Sequence, residues 1–195
     1  MIERDLSPAR VQAFSDGVIA IIITIMVLEL HVPADSSPQA LLRLWPTLAS
    51  YALSYVLVAI YWVNHHHLFS LVKRVNVLIL WANVALLFFL SLLPFFTAYV
   101  GQSRMAKFPV LCYCINMVVC GFCYRWLAAS IARHHFSGDP QMEAFIRANA
   151  RKNNLATTLN LLSVITAYWH PAVSMGLVAA VAVMYFVPGS WVGEP

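Results

Sequence analysis

The first long apolar stretch of this chain, residues 10–30, reads RVQAFSDGVIAIIITIMVLEL and indicates a helix that crosses a membrane. Between Asp16 and Glu29 lie 12 consecutive uncharged residues, and the flanking apolar residues extend the predicted span to residues 14–32. The rest of the chain has the same character, because 61% of its 195 residues are hydrophobic and only 10% are charged. Soluble domains carry about 25% charged residues, so the composition predicts an integral membrane protein.

Four further stretches without charged residues predict the remaining spans. The gaps Arg43–Lys73 and Arg74–Arg104 each contain 29 uncharged residues, and the gap Lys107–Arg125 contains 17, which suits one helix in each case. The gap Lys152–Glu194 contains 41, and as one helix it would be about twice as long as the hydrocarbon core is thick. Because Pro171 interrupts this last gap, we predict that the gap forms two helices joined by a tight hairpin.

We therefore predict an all-α polytopic membrane protein with six transmembrane helices in a single domain over residues 1–195. The approximate spans are 14–32, 45–70, 76–99, 108–128, 153–168 and 172–188. With the N-terminus inside, nine Lys and Arg residues fall on the inner side of the membrane and three on the outer side. This excess predicts that both termini are cytoplasmic. The net charge of +4 is spread between the apolar runs, so we expect lipid headgroups rather than nucleic acid as its partner.

Polar residues near the predicted inner ends of the first three spans form a second pattern. Ser15 and Asp16 begin the first span, and one hypothesis is that either side chain caps this helix. The second span ends in NHHH at residues 64–67, and Asn76 and Asn83 lie on the third. Since an unsatisfied polar group in the bilayer is costly, these side chains at similar depth are expected to hydrogen-bond and hold three helices together.

The first span also carries a stripe of side chains, because Ile21, Thr24, Ile25 and Leu28 are spaced i, i+3, i+4 and i+7. One interpretation is a packed face between helices. The alternative is a hydrophobic constriction that lines a pore and gates by dewetting. One subunit of six short helices rarely encloses a pore, so this alternative requires several subunits arranged around the first helix.

The segment RVQAFSDG at residues 10–17, followed by an Ile-rich helix with a Thr, resembles the signature of the transmembrane protein 175 family. This family comprises the lysosomal potassium channel and its bacterial homologues. Weaker similarity extends through the second span, with Trp45, Trp62 and His66, and through Asn83 in the third. The resemblance therefore covers roughly residues 10–100, and the rest of the chain by span count only.

The resemblance implies a potassium-permeable cation channel, a homotetramer whose first helices line the pore and select K⁺ over Na⁺ modestly. It implies a constriction at Ile21, further apolar layers at Ile25 and Leu28, and K⁺ in transit near Thr24. The family network that anchors the pore helix maps onto Arg10, Phe14, Ser15, Asp16, His66 and Asn83, with His65 and His67 as open alternatives to His66. We expect such a channel in the bacterial inner membrane, without cofactor, structural metal or enzymatic activity.

Other interpretations remain open to test. A haem- or quinone-binding membrane redox protein would use intramembrane histidines such as His66, and a Soret band would identify it. A small transporter is disfavoured because no inverted repeat with broken helices is evident. The three histidines at 65–67 point about 100° apart on a helix and do not chelate one metal together. Cys120 and Cys123 lie in an apolar run, which favours packing over a redox or zinc motif.

Overall fold

The computed structural model describes residues 7–135 and 140–186, although not the side chains of residues 135–149. The secondary-structure elements in these ranges are helices, which confirms the all-α prediction. They are α1 (Pro8–Leu28), α2 (Pro38–Arg43), α3 (Trp45–Ser70), α4 (Val77–Ser91), α5 (Leu93–Gln102), α6 (Lys107–His135), α7 (Pro140–Ala167) and α8 (Pro171–Phe186). Within the described ranges, α1, α3, α4 with α5, and α6 are long and apolar enough to cross a membrane, and α8 is a shorter apolar helix.

The first helix begins earlier than the predicted span of residues 14–32. Ser7 caps α1, since its Oγ accepts a hydrogen bond from the backbone N–H of Arg10 at 3.4 Å, and Pro8 occupies the first turn. The hypothesis that Ser15 or Asp16 caps this helix is therefore wrong, because both residues lie about two turns inside it. The helix ends at Leu28, with Glu29 as the residue that follows.

The third predicted span, residues 76–99, is divided in the structure. Asn76 caps α4, because its Oδ1 accepts a hydrogen bond of 2.8 Å from the backbone N–H of Ile79. A break at Leu92 then separates α4 from α5. Pro94 explains the break, since it has no N–H to bond to the carbonyl one turn earlier. Leu92 keeps a right-handed conformation, so the helical path continues from Val77 to Gln102.

The last two helices form the predicted hairpin around Pro171. α7 ends at Ala167 and α8 begins at Pro171, and Thr166 Oγ1 and Ser174 Oγ share a hydrogen bond of 2.8 Å across the turn. α7 starts well before the predicted span of residues 153–168, because the amphipathic segment after Pro140 continues into it as one helix. The last two residues of the span predicted at 172–188 lie outside the described residues.

The core places α1 against α3, α4 and α5, with α6 between α4 and α7. α5 crosses α3 so closely that a Cβ at Gly101 would stand 2.7 Å from the Cα of Thr47. On α1, one face is buried in this core, and its members are Val11, Ser15, Ile19, Ile22 and Met26. The helix is therefore held on one side only.

Candidate pore helix and its anchoring network

The predicted pore stripe lies on the uncovered face of α1. Ile21 is 58% exposed and Leu28 76% exposed, whereas Ile22 and Met26 on the other face are at most 2% exposed. Ile25 and Thr24 are also exposed, and Thr24 Oγ1 donates a hydrogen bond of 2.8 Å to the backbone carbonyl of Ile21. The other helices of the subunit therefore do not cover this stripe.

A buried chain of hydrogen bonds joins α1, α4 and α3. Asn83 Nδ2 donates to Ser15 Oγ at 2.9 Å, and Ser15 Oγ donates in turn to the Val11 carbonyl at 2.9 Å. Asn83 Oδ1 lies 2.8 Å from His65 Nε2. Because an amide oxygen only accepts, His65 donates from Nε2 and is held in that tautomer. All three side chains, Ser15, Asn83 and His65, are at most 1% exposed, so the chain lies in the dry core.

His65, rather than the expected His66, is the histidine paired with Asn83. Successive helical residues point about 100° apart, so the rotation of α3 about its axis decides which histidine faces α4. His65 turns inward and its ring stacks on Phe69 with centroids 4.4 Å apart. His66 is exposed and faces α1 instead, where its Nδ1 accepts a hydrogen bond of 2.9 Å from Gln12 Nε2.

Asp16 is bound by an indole rather than by a histidine or an asparagine. Trp62 Nε1 donates to Asp16 Oδ1 at 2.9 Å. Gln12 and Asp16 are one turn apart on α1, and Trp62 and His66 are one turn apart on α3. The two helices are thus joined by two successive side-chain bonds, Asp16–Trp62 and Gln12–His66. Sequence reasoning missed Trp62 and Gln12, although the matching i, i+4 spacing on the two helices was the signal that could have found them.

Other residues predicted for the network or near it lie apart from it. The Arg10 guanidinium is exposed and has no partner within the described part of the chain, and Phe14 is 61% exposed. Asn64 Nδ2 donates to the Ile60 carbonyl of its own helix at 2.9 Å. His67 is exposed. Within one subunit, Ser15 and Asp16 therefore take part in interhelical bonds, and Arg10 and Phe14 do not.

A second buried polar cluster involves the first half of α3. Thr97 Oγ1 donates to Ser54 Oγ at 2.7 Å, and Ser54 Oγ shares a hydrogen bond of 2.9 Å with Tyr113 Oη. The cluster joins α3, α5 and α6, and Ser54 and Tyr113 are fully buried. Sequence reasoning did not single it out, because lone hydroxyl residues are ordinary in apolar helices, where they can bond to their own backbone.

Metal-binding side chains are dispersed in the described residues. No group of three or more His, Cys, Asp and Glu is placed there to hold a metal ion. The cysteines Cys112, Cys114, Cys120 and Cys123 are free thiols on α6. The only buried histidine in this part of the chain, His65, uses Nε2 for Asn83.

Comparison with known proteins identifies similar channels. The profile of the family described as endosomal/lysosomal potassium channel TMEM175 matches residues 10–94. A potassium channel of Chryseobacterium sp. (strain P1-3) is 40% identical over 183 residues, which cover 94% of each chain. A potassium channel of Streptomyces collinus is 34% identical over 143 residues, 69% of each chain. The crystal structure of a lysosomal potassium-selective channel TMEM175 homolog from Chamaesiphon minutus superposes with a TM-score of 0.80 at 25% identity, covering 94% of this chain and 98% of that one.

Proposed function

This chain belongs to the TMEM175 family of potassium channels, and we propose that it forms a homotetramer whose four α1 helices line the ion path. Membership confirms the resemblance found in residues 10–17 and the function as a potassium channel. The family is one of ion channels, which is not a class of enzymes. The tetramer, the pore residues and the selectivity are the parts that we propose.

The uncovered stripe on α1 supports the proposal most directly. A helix that is buried on one face and carries exposed Ile21 and Leu28 on the other is an element that a partner subunit can cover. Copies of the same helix around a symmetry axis cover it without any other partner. Lipid would also accept these side chains, so the oligomeric state measured below decides between lipid and a symmetric pore.

The chemistry of the stripe suits a gated cation path. A ring of Ile21 side chains forms an apolar constriction that excludes water when narrow. Because the Thr24 hydrogen is already donated to the Ile21 carbonyl, its oxygen is left to accept or to face a cation. One layer of hydroxyl oxygens replaces few of the waters around K⁺, so we propose modest selectivity over Na⁺ and no bound cofactor besides the permeant ion.

The polar bonds behind the stripe set the position of the pore helix. Ser15 is bonded to Asn83, and Asp16 is bonded to Trp62, so α1 is held to α4 and to α3. We assign to Arg10 and Phe14, which are exposed in the single subunit, contacts with a neighbouring subunit. The anchoring network therefore acts partly within and partly between subunits.

The topology that we propose has six spans in one domain and both termini in the cytoplasm. α1, α3, α4 with α5, and α6 supply four spans, and the apolar parts of α7 and α8 supply a hairpin of two more. The excess of Lys and Arg on the side of the N-terminus supports this orientation. Similar bacterial channels support the inner membrane as its location.

Reconstitution of the purified protein tests the proposal. Liposomes that are loaded with K⁺ and contain the protein should release K⁺ faster than protein-free liposomes when a K⁺ gradient is applied in the absence of valinomycin. Native mass spectrometry of the same preparation should give the mass of four chains. Absence of flux, or a monomer or dimer as the largest species, would contradict the proposed pore.

A further inference from the structure

A separate cavity lies inside the subunit, away from the pore stripe. It has a volume of about 50 Å³ and lies between α3, α6, α7 and α8. Its apolar wall includes Leu57, Met117 and Val181, and Asn160 of α7 supplies a polar group. None of the residues assigned to the pore or to its anchoring network lines it.

Asn160 is the feature that the core itself does not explain. Its side chain is 5% exposed, and its Oδ1 has no hydrogen-bond partner among the described residues. A buried acceptor without a partner costs about 1–3 kcal/mol, and most buried polar groups in proteins avoid this cost. The amide oxygen is therefore an open position for a hydrogen-bond donor.

Three polar neighbours around the cavity donate hydrogen bonds elsewhere. Tyr185 Oη donates to Asn153 Oδ1 at 2.8 Å, and Tyr124 Oη donates to the Asn64 carbonyl at 3.4 Å. Arg125, which also lines the cavity, donates to Asn154 Oδ1 at 2.8 Å. None of these three donors bonds to Asn160 Oδ1, so the acceptor is left to a molecule from outside.

Size and charge narrow the class of ligand. An apolar cavity that holds benzene measures about 150 Å³, and about 10–15 Å³ of cavity volume is enough to hold one water. The cavity therefore suits one molecule larger than water and smaller than an aromatic ring. Arg125 makes a cation unfavourable there, and the apolar wall makes an anion unfavourable.

We propose that this cavity binds a small neutral molecule with one hydrogen-bond donor and a short apolar end, of the class of the short-chain primary alcohols. The donor bonds to Asn160 Oδ1, and the alkyl end lies against Leu57, Met117 and Val181. The site shares no residue with the pore stripe, so it is tested by binding and not by flux.

The test compares two fluorinated probes of equal heavy-atom number by ¹⁹F NMR, with the full-length protein in detergent micelles. 2-Fluoroethanol carries the donor, and 1-fluoropropane replaces the hydroxyl by a methyl group. We expect saturable line broadening of 2-fluoroethanol with a dissociation constant in about the millimolar range, as is ordinary for so small a ligand. Equal binding of both probes would overturn the proposal. Line broadening that does not saturate would also overturn it, since this is the result expected if the cavity holds only water.

Two variants locate the binding. Asn160→Leu removes the acceptor and fills the space, so it should weaken binding of 2-fluoroethanol by about tenfold or more. Gly121→Val fills the cavity from α6, where a Cβ would meet only Tyr61 Oη at 4.0 Å, and it serves if the first variant does not fold. Leu162→Ala, at a half-exposed position on α7 outside the cavity, is the matched control and should bind as the unmodified protein does. Unchanged binding in either filled variant would overturn the assignment.

Discussion

Trp62 donates its indole N–H to the Asp16 carboxylate at 2.9 Å and so joins the second half of α3 to the first half of α1. The carboxylate lies within an otherwise apolar helix, where a charged group is costly unless it is bonded. Together with the Gln12–His66 bond one turn away, this contact fixes the rotation of α1, and hence which side chains occupy its uncovered face.

Replacement of Trp62 by Phe should destabilise the subunit. The variant keeps most of the aromatic packing but removes the N–H, so the Asp16 carboxylate loses its partner, at an expected cost of about 1–2 kcal/mol because the site is partly exposed. The melting temperature in detergent should fall by several degrees. Trp126→Phe is the matched control, since Trp126 is 44% exposed and Trp62 is 42% exposed. Equal melting temperatures for the two variants would contradict this role of Trp62.

His65 and His66 should differ in their effect on stability. His65→Phe leaves Asn83 Oδ1 buried and unbonded, at an expected cost of about 1–3 kcal/mol. His66→Phe removes only an exposed bond to Gln12 and should cost less than about 1 kcal/mol. Thermal unfolding of both variants measures the difference. A larger loss for His66→Phe would show that the histidine assignment is reversed.

Replacement of Ile21 by Asn should increase the leak of K⁺. A polar side chain wets the constriction and lowers the barrier, and a reduction of about 1.4 kcal/mol corresponds to a tenfold faster flux. The measurement is K⁺ efflux from liposomes. Ile165→Asn is the control, because Ile165 on α7 has the same 58% exposure but lies outside the stripe. Flux that stays unchanged in Ile21→Asn would remove Ile21 as the gate.

Replacement of Thr24 by Val should reduce the selectivity for K⁺ over Na⁺. The shape is kept, but the hydroxyl oxygen that faces the ion path is lost. The bi-ionic reversal potential of reconstituted protein should move toward zero, where about 59 mV corresponds to a tenfold ratio. Thr24→Ser keeps the hydroxyl and should retain most of the selectivity. If Thr24→Val kept the full reversal potential, the hydroxyl layer would not be the source of selectivity.

Several features of the fold followed from the sequence because they depend on local chemistry. Charge-free runs marked the apolar helices, and Pro171 marked the hairpin before α8. Pro94 was equally visible, but the long run without charges around it favoured one helix, and the break at Leu92 was not predicted. The Ser7 cap was missed because the apolar run starts only after Asp16, although α1 extends about two turns before it.

The anchoring network was predictable in its composition but not in its pairs. Ser15 and Asn83 are hydrogen-bonded, as expected for polar side chains at similar depth in the membrane. The choice of His65 over His66, and of Trp62 for Asp16, depends on how α3 is rotated about its axis. That rotation results from the packing of α3 against α5, α1 and α8, and no local pattern in the sequence reports it.

The break at Leu92 has a mechanical consequence. The helical path from Val77 to Gln102 is clamped twice, by Asn83 to His65 and Ser15 before the break, and by Thr97 to Ser54 after it. Both sets of bonds hold the path to α3, one on each side of the break, so contacts with a neighbouring helix offset the backbone hydrogen bond that Pro94 lacks. The continuity of the path across Leu92 therefore depends on its neighbour α3 and not only on its own backbone bonding.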